Sequence, residues 1–378
     1  MEGYAHRPRG KGFFDRNSTT LFHLLVIILL IVFVINTFSI LNTTKEAKKK
    51  LAEAQEATRP ATLQATTILP PQECTGCKTE TLTSILNNKK YNITSTKDLT
   101  ADEAQELITR YGIKRLPAII ITGELDKAKL PAPFEKKEDA AVATLQTAPY
   151  YDLDNKKVAG LVSITILQPE NCPACIKLKP FADSLRQQLY ILKTEELLER
   201  DAGALLKKLN ITTLPALIVS REAEAYPDFA EVWKELRSPD GSYTLKDVNP
   251  PYKDLESGET RGLVSITYLQ DDICEECYNT SVHKAILTGR FGIYLNEENT
   301  LDVKDEETKR LLTKHNITLI PTIILSKEIK DYKIDTTLRQ VGTFETDGSF
   351  IFRRLELLGT YKDLTTGKTI EPPKQETA

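Results

Sequence analysis

GLVSITILQPENCPACIKLKP, residues 160–180, joins an apolar run, a C-x-x-C pair at Cys172 and Cys175, and a proline five residues after the second cysteine. The apolar run suits a buried strand, and the segment after Cys175 suits a helix. GLVSITYLQDDIC (262–274) repeats the opening 102 residues later, and ATTILPPQEC (65–74) is a shorter version. All six cysteines therefore fall in pairs of one spacing: Cys74/Cys77, Cys172/Cys175 and Cys274/Cys277. Such a pair can grip a metal, close a structural disulfide, or exchange electrons with another dithiol.

Further landmarks recur beyond each pair. YGIKRLPAIII (111–121), LNITTLPALIV (209–219) and HNITLIPTIIL (315–325) place a proline 43, 43 and 47 residues after the first cysteine. PYYDL (149–153), PYKDL (251–255) and TYKDL (360–364) close each copy, and Asp-Gly-Ser-aromatic at 240–243 and 347–350 is a hairpin-type turn signal. Repeats of about 100 residues are domain-sized, so the chain is an array of domains rather than a solenoid. In the middle copy, QLYILK suits a second strand, TEELLERDAGALLKKL a second helix and ALIVS a third strand. Alternation of this kind is an α/β layered domain. The organisation expected is a tail over 1–20, a membrane span over 21–41, a helical stalk over 42–60, and domains over 61–158, 159–260 and 261–378.

The strand, the C-x-x-C opening a helix, and the proline before another strand together resemble the thioredoxin-like superfamily. YGIKRLPA is similar to the segment that this family carries around its cis-proline. The resemblance implies three tandem thioredoxin-like domains, each a mixed sheet flanked by helices. It also implies that Pro117, Pro215 and Pro321 are cis-prolines beside the cysteines, where a substrate peptide docks, and that Pro180 kinks the helix. The chain departs from the family in three ways. No Trp precedes a pair, the only Trp being Trp233. Ile68, Ile166 and Tyr268 stand where a buried acid would move protons, and the outer copies have Leu82 and Val282 in place of Pro180.

LFHLLVIILLIVFVINTFSIL (21–41) is long enough at about 1.5 Å per residue to cover a bilayer core of roughly 30 Å. No small-residue cleavage site follows it directly, so an uncleaved anchor is expected. Arg7, Arg9, Lys11 and Arg16 before the span nearly balance Lys45, Lys48, Lys49 and Lys50 after it. Paired cysteines favour an extracytoplasmic location for the C-terminal portion and a cytoplasmic N-terminus. A net charge of −3 leaves no basic field for nucleic acid, and a single Met argues against a copper–thioether site. Zinc needs four ligands, whereas each pair lies about 100 residues from the next in its own repeat. No metal or cofactor is expected, and His283 is expected on a helix surface. Asn210 and Asn316 lie in N-x-T sequons, but they align with Gly112 just past a helix and read as left-handed caps.

A cysteine at a helix N-terminus is held as thiolate, the species that attacks a disulfide. The first cysteine of each pair is expected to be the exposed nucleophile and the second to resolve the mixed disulfide. Two functions follow. One is an enzyme, a membrane-anchored thiol–disulfide oxidoreductase acting on exported proteins that carry thiols or disulfides and exchanging electrons with a membrane or soluble redox partner. The other is a scaffold or client-binding protein whose pairs are structural disulfides. Glu275 and Glu276 repel a thiolate beside them. The Cys274/Cys277 disulfide is therefore expected to be the most stable of the three. Redox titration in glutathione buffers checks this, and a potential for that pair above the middle pair's contradicts it.

Overall fold

The computed structural model describes residues 18–372. Most of the 1–20 tail, including Arg7, Arg9, Lys11 and Arg16, and residues 373–378 lie outside the described residues. Ser18–Thr58 is one unbroken helix, so the expected span and stalk are consecutive parts of one rod. Ala, Lys, Glu and Leu in the stalk are strong helix formers, and Pro60 ends the run. From Phe22 to Leu41 the apolar side chains are exposed, as a lipid-facing surface requires, and this is the one helix among the described residues long and apolar enough to cross a membrane.

By their contacts the described residues divide into two compact units: residues up to 67 with 83–97 and 119–142, and residues 68–82 with 98–118 and 143 onward. In the first unit the helix ends in polar contacts. The Arg59 guanidinium donates to both oxygens of Glu124 at 2.6 and 2.5 Å, and Thr62 N donates to the same carboxylate at 2.8 Å. Lys127 reaches the Glu56 carbonyl. Arg59 first, and then the Thr62 N–H, hold the Glu124 carboxyl down to about 2. The bulk of a five-stranded sheet belongs to this unit, with Tyr91–Leu99, Ala61–Ile68, Ala118–Gly123, Ala140–Thr144 and Glu135–Lys137 side by side in that order.

The second unit holds two sheets of matching order. In one, Ile191–Leu198 runs parallel to the opening strand Val162–Gln168, which pairs antiparallel with Ala216–Val219, which pairs antiparallel with Tyr243–Leu245. In the other, Leu295–Asp302, Val264–Gln270, Thr322–Leu325, Phe350–Phe352 and Gly342–Phe344 follow the same scheme with an added edge strand. The Asp-Gly-Ser turn closes a regular hairpin at 347–349, but at 240–242 its first arm is a single bridge, Arg237 to Tyr243. Successive side chains of a strand leave on opposite faces, so each apolar opening strand feeds two cores. Val162, Ile164 and Ile166 meet Leu217, Val219, Phe229 and Trp233, while Leu167 meets Ala216, Ile218 and Leu209 of the helix Gly203–Leu209. Each sheet is thus a mixed α/β layer covered on both faces.

One expectation fails here. TEELLERD was expected in a helix, yet Thr194–Leu198 continues the strand and Glu199–Asp201 is a single tight turn. Helix propensity in Glu and Leu is worth tenths of a kcal/mol per residue. Parallel pairing from Thr194↔Ile164 to Leu198↔Gln168 outweighs it. Conversely, Gly112, Asn210 and Asn316 do adopt left-handed conformations, with φ of 61°, 51° and 52°. The next residue in each case returns its N–H to the helix: Ile113 to Ile108 O, Ile211 to Leu206 O and Ile317 to Leu312 O.

Candidate functional site

All three cysteine pairs are closed as disulfides on a single turn, in which the second cysteine's N–H reaches the first cysteine's carbonyl at 3.3 Å. The expectation that each pair opens a helix is not met. Helices start only at Glu80, Lys179 and Ser281, beyond Cys77, Cys175 and Cys277, and the middle one ends at Ser184. The backbone is diverted before it can coil. Ile176 N donates to Pro251 O at 3.0 Å, and Tyr278 N donates to Thr360 O at 2.8 Å. Pro180 consequently occupies the first turn of Lys179–Ser184, where its missing N–H costs nothing, instead of kinking a longer helix. The cysteines therefore lack the partial positive charge of a helix N-terminus.

Beside these loops lie short strands that end at the prolines: Arg115–Leu116, Thr213–Leu214 and Leu319–Ile320. The Leu116–Pro117, Leu214–Pro215 and Ile320–Pro321 bonds are cis. Each pre-proline strand pairs antiparallel with the hairpin built on the repeated Tyr-x-Asp-Leu marker. Thr213 and Leu214 oppose Asp254 and Lys253, and Leu319 and Ile320 oppose Asp363 and Lys362. Arg115 and Leu116 likewise oppose Asp152 and Tyr151. Cys175 Sγ lies 4.0 Å from Leu214 O, so the middle disulfide sits against the proline segment. The sequence did not show that the marker forms the central strand of a three-stranded sheet, although its recurrence at the end of every repeat was the available signal.

The three pairs differ in access. Cys172 and Cys175 are only 6% and 3% exposed, and Thr260 Oγ1 lies 3.5 Å from Cys172 Sγ. Cys74 is buried while Cys77 is half-buried, the reverse of the expected exposed first cysteine. Gly76, between them, has φ +85°, and a Cβ there would meet the Tyr190 ring at 2.5 Å. Both Cys274 and Cys277 are half-buried, with Glu275 and Glu276 exposed between them and Ile273 exposed just before. Solvent screens the two glutamates, so their repulsion of a thiolate is softened.

Polar groups gather most densely at the third pair. Tyr278 Oη donates to Pro321 O at 2.6 Å and contacts His283 Nε2 at 3.0 Å. With the hydroxyl proton committed to Pro321, Nε2 is left to donate to Oη. His283 is 4% exposed, with its ring edge-on to Phe352 at 4.7 Å, so its expected place on a helix surface is wrong. Its helix packs inward on the face that carries His283, and the tyrosine satisfies the imidazole. Burial lowers the His283 pKa to about 4 and raises Tyr278 above the usual phenol range. Three residues before Cys274, the buried Asp271 carboxylate pairs with Lys362 Nζ at 2.5 Å. The equivalent marker lysine, Lys253, pairs instead with Glu199 at 2.8 Å. At the positions lacking an acid, Ile68 and Ile166 are buried, and Tyr268 is buried with its hydroxyl on Glu298 at 3.0 Å. Among the described residues no group of three His, Cys, Asp or Glu is placed to hold a metal.

No protein-family model and no curated protein matches the chain. Among solved structures it is similar to ERdj5 form I at 11% identity over 72% of this chain, with a TM-score of 0.15. Human ERp44 form I matches at 10% identity over 75% of this chain and 81% of that one, with a TM-score of 0.13. The chain spans only 37% of the ERdj5 structure.

His283 gives the site a pH signature. An unfolded histidine takes up a proton near pH 6.5, whereas the buried one resists until about pH 4. The unfolded state then binds more protons, so stability falls as pH drops through that window, by on the order of 3 kcal/mol at most. Denaturant unfolding monitored on the third repeat from pH 7 to 4 should show this slope, and His283→Gln should flatten it. A slope that His283→Gln leaves unchanged contradicts the assignment.

Proposed function

We propose that the chain is a membrane-anchored thiol–disulfide exchange protein built from three thioredoxin-like domains, over 61–158, 159–260 and 261–378. The 21–41 segment is the anchor, with the N-terminus cytoplasmic and the repeats outside. Its clients are exported proteins carrying thiols or disulfides, and a membrane or soluble redox partner resets it. One observation carries the proposal: the half-buried Cys274–Cys277 disulfide sits on a loop that Tyr278 ties to the proline segment at Pro321. A dithiol that a client sulfur can reach is the minimum that exchange requires. In the reduced form, Cys274 thiolate attacks a client disulfide and forms a mixed disulfide, and the displaced client sulfur leaves as thiolate. Cys277 then attacks the mixed disulfide, so the client is reduced and the pair oxidised. The reverse sequence oxidises a client dithiol.

A second reading applies to the middle repeat. The burial of Cys172 and Cys175 favours a structural disulfide in the folded resting chain. The assay is insulin reduction by the detergent-solubilised full-length chain with dithiothreitol as electron donor. Cys274→Ser with Cys277→Ser should lower turnover roughly tenfold, since the more accessible, half-buried dithiol carries exchange. The corresponding middle-pair variant should lose far less. No turnover above dithiothreitol alone would leave only the scaffold reading.

A further inference from the structure

The hairpin that closes the middle repeat pairs with the pre-proline strand and reaches the Cys172–Cys175 disulfide. Its first arm, Tyr252–Asp254, takes up the hydrogen-bonding edge of Thr213–Leu214, and Leu255 N extends the ladder to Thr212 O at 2.9 Å. Its base receives the N–H of Ile176 at Pro251 O, one residue past Cys175. Its second arm brings Thr260 Oγ1 to 3.5 Å from Cys172 Sγ. The third repeat pairs its own pre-proline strand in the same way, Leu319–Ile320 with Lys362 and Asp363, so what sets the middle repeat apart is the second arm, whose Thr260 lies against Cys172. Both sulfurs are simultaneously buried.

The same hairpin runs straight into the third repeat. Gly262 donates its N–H to Asp331 at 2.9 Å and accepts Tyr332 Oη at its carbonyl at 2.9 Å. At the other side of its base, a Cβ on Gly262 would meet Pro250 Cβ at 2.2 Å. The flank of the hairpin is fixed by Lys253 Nζ on Glu199. The cover is thus pinned by both repeats it connects.

We infer that residues 251–261 are a self-docked plug that keeps Cys172–Cys175 latent, and that this pair becomes exchange-competent only when the hairpin lifts from Thr213–Leu214. The inference deepens the exchange reading above and rests on it for biological meaning, but the latency itself is measurable without it. For a dithiol reductant, one thiolate attacks a cystine sulfur, and the S–S electron pair leaves with the other sulfur. The reductant's second thiol then displaces the mixed disulfide, giving a cyclic disulfide and two cysteine thiols. None of this proceeds while the plug denies the in-line approach to either sulfur.

The experiment is a dithiothreitol time course on the full-length chain in detergent, quenched by alkylation, with each cysteine peptide quantified by mass spectrometry. In the unsubstituted chain Cys172–Cys175 should be reduced at least roughly tenfold more slowly than Cys274–Cys277, because local opening must precede attack. Lys253→Glu, which sets like charges together at Glu199, and Gly262→Ala, which crowds Pro250, should each accelerate the middle pair roughly fivefold or more and leave the third unchanged. Hydrogen exchange across 251–261 reports whether the hairpin has loosened in each variant. Equal rates for the two pairs in the unsubstituted chain would overturn the proposal. So would a hairpin that loses protection while the middle pair stays slow. Failure to reduce insulin would instead count against the exchange reading and leave these rates intact.

Discussion

The pairing of each short pre-proline strand with its closing hairpin is the constraint on which the cysteine loops depend. With no helix beginning at the cysteines, the loop must be held by something else. The N–H groups of Ile176 and Tyr278 find that support in the carbonyls of Pro251 and Thr360, at the start of the hairpins. A backbone N–H left unpaired there would cost about as much as a lost hydrogen bond, so hairpin and loop are placed together. Without the ladder from Thr213 to Asp254, neither the loop nor the proline segment has a reason to keep its position.

Electrostatics at the pairs then differ from those of a dithiol on a helix end. The marker lysines of the second and third repeats are each held by a carboxylate: Lys253 by Glu199 and Lys362 by Asp271. The Asp271–Lys362 pair is the more consequential, because the carboxylate is almost wholly buried. Removing its lysine would strand a charge away from water, which is far costlier than losing a surface ion pair. One repeated geometry thus yields unlike environments, a polar, half-buried one at Cys274/Cys277 and a buried one at Cys172/Cys175.

Much of this was legible in residues. The apolar opening runs gave strands, and the recurrence of Gly or Asn five before the proline gave left-handed helix ends. What escaped depended on long-range partners. TEELL carries helix-forming residues, and only its parallel neighbour makes it a strand. The delayed helix after Cys175 follows from a bond to Pro251, 75 residues away, which no local pattern encodes. His283 looked like a surface residue because its satisfying partner, Tyr278, also serves the proline segment. The cover over the middle pair was hidden for the same reason: Thr260 and Cys172, which meet in the fold, are 88 residues apart in the chain.

The central claim, that an accessible third dithiol exchanges with exported clients, is tested most directly by trapping. In cells expressing the full-length chain with Cys277→Ser, the mixed disulfide on Cys274 cannot be resolved. The account predicts reductant-sensitive adducts between this variant and exported proteins, lost when Cys274 is also replaced by Ser. Absence of adducts from this variant would contradict it.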